Sequence, residues 1–380
     1  MNNTKKIFII AVIVLVVLVG ALLIYNLFFK TVSPTATGEP SAPAARETNG
    51  SQNGNLASLK LKAISQEKVF SPSIGENGET VKYFLRTNGH IFESDFNGGN
   101  LKEKSSVTLD NPLKALWSPD KEKVIGIFNE NGQVKKYFYN YTSGQSAPLP
   151  DQIAYIAWSP DSKKIAYQFS PTNSDESSIS IADPDGSNYK NIFRTRLNNL
   201  IVDWPITAKI SLLTPISGLS QGLVYALNSA NGELSTVLTD YYGLNIKWSP
   251  KADKLLFSST DSSGKNPILR LANETGSNTK DLRTSTIADK CVWSKDDRSV
   301  FCAIPQEISP NAVWPDDYYK GRVIVNDDFY KINLETNEKT KIAGSSELTG
   351  YDAQELFLSP KEDYLFFVNR RDGLLYSLRL

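Results

Sequence analysis

A tryptophan-centred hexad, Ile156-Ala157-Trp158-Ser159-Pro160-Asp161, recurs down this chain at a nearly constant interval. Trp117-Ser118-Pro119-Asp120 and Trp248-Ser249-Pro250-Lys251 keep its core, while Trp293-Ser294-Lys295-Asp296, Asp203-Trp204-Pro205, Phe70-Ser71-Pro72 and Leu358-Ser359-Pro360 read as degraded copies. Steps between these seven anchors are 47, 41, 46, 44, 45 and 65 residues. A period of roughly 40 to 45 residues suits one four-stranded blade per repeat, and the longer last step signals an insertion.

Within each repeat, period-two alternation is broken by turn residues, the pattern of short antiparallel strands. The third repeat predicts strands over Ile153–Ser159, Lys164–Phe169, Ser178–Ala182 and Asn191–Thr195, with Asp185-Gly186 closing the last hairpin. After Leu358-Ser359-Pro360 the chain has room for only three strands. An unpaired blade edge is an aggregation template, so the strand-like Leu56–Lys62 is expected to complete the seventh blade from the N-terminal side. The expectation is all-β: a seven-bladed β-propeller of four-stranded antiparallel blades over residues 56–380, its tryptophans packed between blades.

Turns such as Ala182-Asp183-Pro184-Asp185-Gly186-Ser187-Asn188, paired with Trp158-Ser159-Pro160-Asp161, resemble the TolB-like, WD-repeat-like propeller family. The resemblance covers Leu56 to Leu380 and implies fold. It does not imply an activity, since such propellers serve as envelope scaffolds, as binding modules and as accessory domains of peptidases.

Ahead of the repeats, residues 1–6 read as a short cytoplasmic tail, and Ile7–Phe29 runs 23 residues without a charge. At 1.5 Å per residue it covers about 34 Å, enough for a hydrocarbon core of roughly 30 Å, so one N-terminal transmembrane helix is expected as an uncleaved signal anchor, the other reading being a cleaved signal peptide. Lys5 and Lys6 precede the span and only Lys30 follows closely, which favours a cytoplasmic N-terminus and an extracytoplasmic body. Residues 30–55, rich in Thr, Ser, Pro, Ala, Gly and Asn, read as a disordered stalk. The exported part carries 38 basic against 41 acidic residues without basic runs, which argues against a nucleic-acid partner.

Candidate chemistry is sparse. Gly218-Leu219-Ser220-Gln221-Gly222 matches the nucleophile-elbow pattern, but strand-like segments lie on both sides where an elbow needs a helix, and the one histidine, His90, precedes the serine. The motif reads as a hairpin turn and His90 as a surface turn residue. Asp183, Asp185 and Asn188 lack the spacing of an EF-hand. No catalytic residue, metal ligand set or cofactor is assigned. Cys291 and Cys302 flank a hairpin whose loop, if it is Lys295–Arg298, sets them opposite each other; they are either a disulfide or two buried thiols.

The insertion, Pro305–Asn326, holds Trp314-Pro315-Asp316-Asp317-Tyr318-Tyr319, an aromatic and acidic density unusual for a solvated loop. Trp314, Asp316, Asp317, Tyr318 and Tyr319, with Tyr241 and Tyr242 from Asp240-Tyr241-Tyr242-Gly243, are the candidate contact residues; the other reading is a loop that caps its own blade. The expected function is a non-catalytic protein-binding or scaffold module of a bacterial-type cell envelope, held at the membrane and engaging an unknown envelope protein or peptide. The alternative is a propeller enzyme, a hydrolase or lyase on glycan or peptide, with carboxylates converging at a channel mouth.

Overall fold

The computed structural model describes residues 60–344 and 350–380. The expected tail, membrane helix and stalk lie outside the described residues, as do residues 56–59 of the predicted closing strand. Among the described residues no helix is long and apolar enough to cross a membrane.

Those residues form six antiparallel sheets. The first holds strands Val69–Ile74, Thr80–Leu85, Ile91–Asp95 and Lys102–Ser105; the second Pro112–Trp117, Lys123–Glu130, Gln133–Asn140 and Ser146–Leu149; the third Ile153–Trp158, Ile165–Phe169, Ser177–Ala182 and Lys190–Thr195. The fourth has seven strands, from Ile201–Ile206 to Lys280–Asp281, and its long strand Leu234–Trp248 is last in one four-strand meander and first in the next. The fifth runs Cys291–Trp293, Ser299–Pro305, Asp327–Asn333 and Lys339–Ala343, and the sixth Ala353–Leu358, Tyr364–Asn369 and Leu375–Arg379. Leu61–Ala63 adds the fourth strand of the sixth sheet, with Leu61 opposite Leu378. The two ends of the described domain are thereby hydrogen-bonded to each other.

The hexad has a physical reason. Ser159 Oγ accepts the Lys164 N–H at 2.8 Å and donates to Asp161 at 2.7 Å, closing the first turn of its sheet, and Ser294 and Asp296 repeat the arrangement. The tryptophan ahead of the serine reaches across to the preceding sheet. Trp158 Nε1–H donates to the Leu116 carbonyl, Trp117 to Ser71 and Trp293 to Lys247, each at 2.9–3.1 Å. Each clip satisfies the polar atom of a large apolar side chain between two sheets.

Two anchors differ from the sequence reading. In the first sheet the anchor position belongs to Ile74, not Phe70: Ile74 pairs with Val81, the Gly75 N–H donates to the Thr80 carbonyl, and Gly78 supplies the left-handed residue that Ser162 supplies in the third sheet. The first step is then 43 residues, closer to the period. Trp204 is buried, but its indole donates to Thr207 within its own short turn.

The first strands of successive sheets, together with the second half of Leu234–Trp248, wall a central channel of about 1070 Å³. Because neighbouring strands are antiparallel, turns after the first and third strands of each sheet emerge on one face and loops after the second and fourth on the other. The second of these carries the 305–326 insertion and is called the insertion face below.

Candidate functional site

Pro305 ends one strand and Asp327 opens the next, so the insertion occupies the span read from the sequence. Its centre folds back onto the fourth sheet. Trp314 N–H donates to the Gly264 carbonyl at 2.7 Å, Lys265 Nζ donates to the Ala312 carbonyl at 2.8 Å, and the Gly218 N–H donates to Asp316 at 2.6 Å. Gly218, Gly243 and Gly264 floor this contact, because a Cβ at Gly218 would lie 2.1 Å from the Trp314 carbonyl oxygen. The Gly218–Gly222 motif is therefore a turn onto which the insertion docks. Gly218 serves close approach to the Trp314 backbone, and Gly222 leaves room for the Leu244 side chain.

Trp314 is fully buried, stacked on Tyr318 and packed against Ile287, Ala312 and Val325. Asp317 accepts the Val313 N–H and pairs with Arg322, and the backbone donor holds its carboxyl below the usual range. Trp314, Tyr318, Asp316 and Asp317 thus hold the insertion in place. Tyr241 is half-buried under Phe257 and Arg270, and Tyr242 lies beside Gly243 at the docking point. Tyr319 remains 43% exposed.

Beneath the insertion lies an ion cluster that sequence patterning did not reveal. Lys290, 1% exposed, places Nζ 2.8 Å from both Asp327 Oδ2 and Asp352 Oδ1, 3.0 Å from Tyr318 Oη and 2.9 Å from the Ala353 carbonyl. Arg370 covers the Tyr318 ring at 4.0 Å and donates to Asp352 and to the Tyr318 carbonyl. Burial opposes the charge on Lys290, but Asp327, Tyr318 and Asp352 outweigh it and raise its pKa. The same burial pushes Asp327 up to about 6, with Lys290 opposing, and Tyr318 up to about 12. Residues scattered from 290 to 370 meet here, so no local motif announces the site. The two aspartates converge, but on a lysine and away from solvent.

At the channel, Tyr319 Oη donates to Asp289 at 2.6 Å and accepts from Asn245 at 3.0 Å, while the Asp289 N–H donates to Asn245. Nearby, Lys247 Nζ donates to the Cys291 carbonyl at 2.6 Å; burial lowers its pKa against the pull of Asp289 and Asp203. Asp203 is open to channel water yet walled in by protein, and that enclosure raises its carboxyl pKa, with a backbone donor and Lys247 opposing. Glu355 shows the same upward shift from enclosure, opposed by the Ser71 N–H and Lys114. Ser71, Tyr155 and Glu355 sit at left-handed φ of 47–53° where the channel strands bulge. Bulges of this kind re-aim side chains, here beside the channel.

The remaining candidates are local. His90 bridges Glu103 at 2.8 Å and Thr108 at 3.3 Å on the first sheet. Asp183 is held by Lys164 and Asn188 within its turn. Among the described residues no group of three or more His, Cys, Asp or Glu is placed to hold a metal ion. Cys291 stands opposite Cys302, Val292 opposite Phe301, and the two sulfurs are bonded with Cα atoms 4.1 Å apart.

No protein family and no curated protein is matched by this sequence. Solved structures are similar in shape. Oligogalacturonate lyase from Vibrio parahaemolyticus superposes with a TM-score of 0.59 at 9% identity, over 84% of this chain and 93% of that one. The β-propeller domain of the Trilobed protease from Pyrococcus furiosus gives 0.53 at 12% identity, over 82% and 96%. The fold is a β-propeller. TolB from Acinetobacter baumannii is also similar, with a TM-score of 0.47 at 14% identity over 71% of this chain and 65% of that one. That Pyrococcus propeller is described as having an open velcro topology. In this propeller the Leu61–Ala63 strand is hydrogen-bonded to Leu375–Arg379.

Proposed function

We propose that this chain is a TolB-like, seven-bladed propeller, the seven-stranded sheet counting as two blades. It is held outside the cytoplasmic membrane by Ile7–Phe29 and binds an envelope protein or peptide on its insertion face without catalysis. One observation carries the binding reading. Of ten exposed large apolar side chains among the described residues, Val107, Leu113, Val134, Leu197, Leu219, Tyr319 and Ile324 belong to loops or strand ends of the insertion face, and Tyr155 sits at a bulge of a channel strand. Only Leu101 and Tyr189 lie on the other side. Scattered exposed apolar residues need no explanation, whereas segregation to one face marks an interaction surface. Tyr319 is the member of the expected contact set that joins them; Trp314 and Tyr318 support it from below. The anchor and orientation rest on the 23-residue uncharged run and its flanking lysines.

A glycosidase built on paired carboxylates at the channel mouth would need two accessible ones aimed at one point. Asp203 and Asp289 flank Lys247, and Asp289 is already held by Tyr319. Proximity cross-linking in intact cells tests the choice, comparing the native chain with Leu219→Asp/Ile324→Asp, whose side chains are 61% and 55% exposed and can change without disturbing the core. Loss of one specific cross-linked envelope protein in the variant supports binding at this face. An unchanged cross-linking pattern, or none, sinks it and turns attention to the channel carboxylates.

A further inference from the structure

The interface between the first two blades lacks a side chain that other interfaces have. Counting along the second strand of each blade from the partner of its anchor, the third position holds Tyr83, Tyr167, Phe257 and Phe367 in four blades and the bonded Cys302 in another. Each of the four rings is at most 4% exposed and packs toward the preceding blade. In the second blade the residue at that position is Gly126, opposite Ala115.

What is left is a cavity of about 470 Å³ between Phe70, Phe84 and Ile91 of the first blade and Val124 and Phe128 of the second. The Phe128 ring bends over Gly126, its tip 2.4 Å from where a Cβ would be, and does not fill the space. Thr108, Asp110, Lys114 and Glu130 also line it, and they belong to insertion-face loops and strand ends. A dry apolar cavity of about 150 Å³ takes up benzene, and natural ligand sites begin at roughly 300 Å³. This one is large enough for more than one ring, aromatic on its walls and polar at its edge.

We propose that the cavity is a binding site for a compact aromatic small molecule of about two fused rings bearing a polar substituent, whose ring system stands in for the side chain missing at Gly126. Its apolar body displaces water from the Phe70, Phe84 and Phe128 surfaces, and its polar end meets the Thr108, Lys114 and Glu130 rim. The site shares Val107 with the apolar surface invoked for partner binding, but its test reads ligand uptake and does not depend on finding that partner.

The test is titration of the full chain with 2-naphthol, followed by fluorescence, in parallel with Gly126→Phe in the same detergent, so that partition into micelles is equal in both arms. Gly126 has no left-handed backbone that would exclude a side chain, and Phe restores the residue type of the other blades. The expected result is saturable one-to-one binding to the native chain and at least a tenfold loss in the variant, with circular dichroism unchanged. Absence of saturation in the native chain, or equal saturation in both, overturns the proposal. Should the variant not fold, methyl-labelled native chain decides: shifts confined to Ile91, Leu109 and Val124 support the site, and shifts elsewhere or none reject it.

Discussion

Gly218 and Trp314 meet so closely that the Trp314 carbonyl oxygen occupies space 2.1 Å from where any Cβ at position 218 would be. The close approach brings the insertion of the fifth sheet onto the fourth sheet and levels Tyr319 with the channel. Gly218→Ala is expected to lift the insertion, at a cost of about 1–3 kcal/mol as for other overpacked sites. Denaturant unfolding measures that cost. Hydrogen exchange should show lost protection at Trp314 and Asp317, and unaltered protection there would disprove the docking role.

Lys290 holds two carboxylates in a fully buried site, so removing it leaves Asp327 without a cation and Asp352 with Arg370 alone. Lys290→Met is expected to destabilise the fold by about 3–5 kcal/mol. Combining it with Asp327→Asn and Asp352→Asn should recover much of the loss, because neutral groups carry no buried charge. A triple variant as unstable as the single would mean that Lys290 acts through packing alone.

Asp327 has a folded pKa of about 6 against a usual 3.8. The folded chain therefore holds this proton more tightly than the unfolded chain does. The stability it contributes is full below pH 3.8 and is lost as pH rises through about 6. Subtracting the pH profile of Asp327→Asn from that of the native chain should leave a difference that declines across this window. A difference that rises instead would refute the assignment.

Trp158 and Trp248 occupy the same anchor position, but only the Trp158 indole finds an acceptor, the Leu116 carbonyl at 2.9 Å. Replacing each by Phe should separate the clip from the packing. The Trp158→Phe change is expected to cost about 1 kcal/mol more than Trp248→Phe, the net worth of one hydrogen bond. Equal losses in thermal unfolding would show that the clip adds nothing.

The repeat was legible because each copy has the same local task. Ser159 and Asp161 close their turn through atoms within a few residues, so the motif survives wherever that turn recurs. The third-blade strands fall within a residue of their sequence boundaries for the same reason. Phe70-Ser71-Pro72 misled because it imitates the motif inside a strand, whereas Ile74-Gly75, which does the anchor's work, carries no tryptophan. Trp314 and Tyr318 were readable as an unusual cluster but not as buried ones: their partners Ile287, Lys290 and Asp352 belong to other parts of the chain.

By itself the sequence determined what depends on neighbours in the chain: the period, the hairpin turns, the register that sets Cys291 opposite Cys302 and the limits of the insertion. Tertiary structure alone decided which side chains face each other across blades. The buried Lys290 cluster, the glycine floor under Trp314, the gap at Gly126 and the gathering of exposed apolar residues on one face all depend on contacts between segments far apart in sequence. Such contacts leave no periodic trace, because each is made once, by residues whose types are ordinary until the fold brings them together.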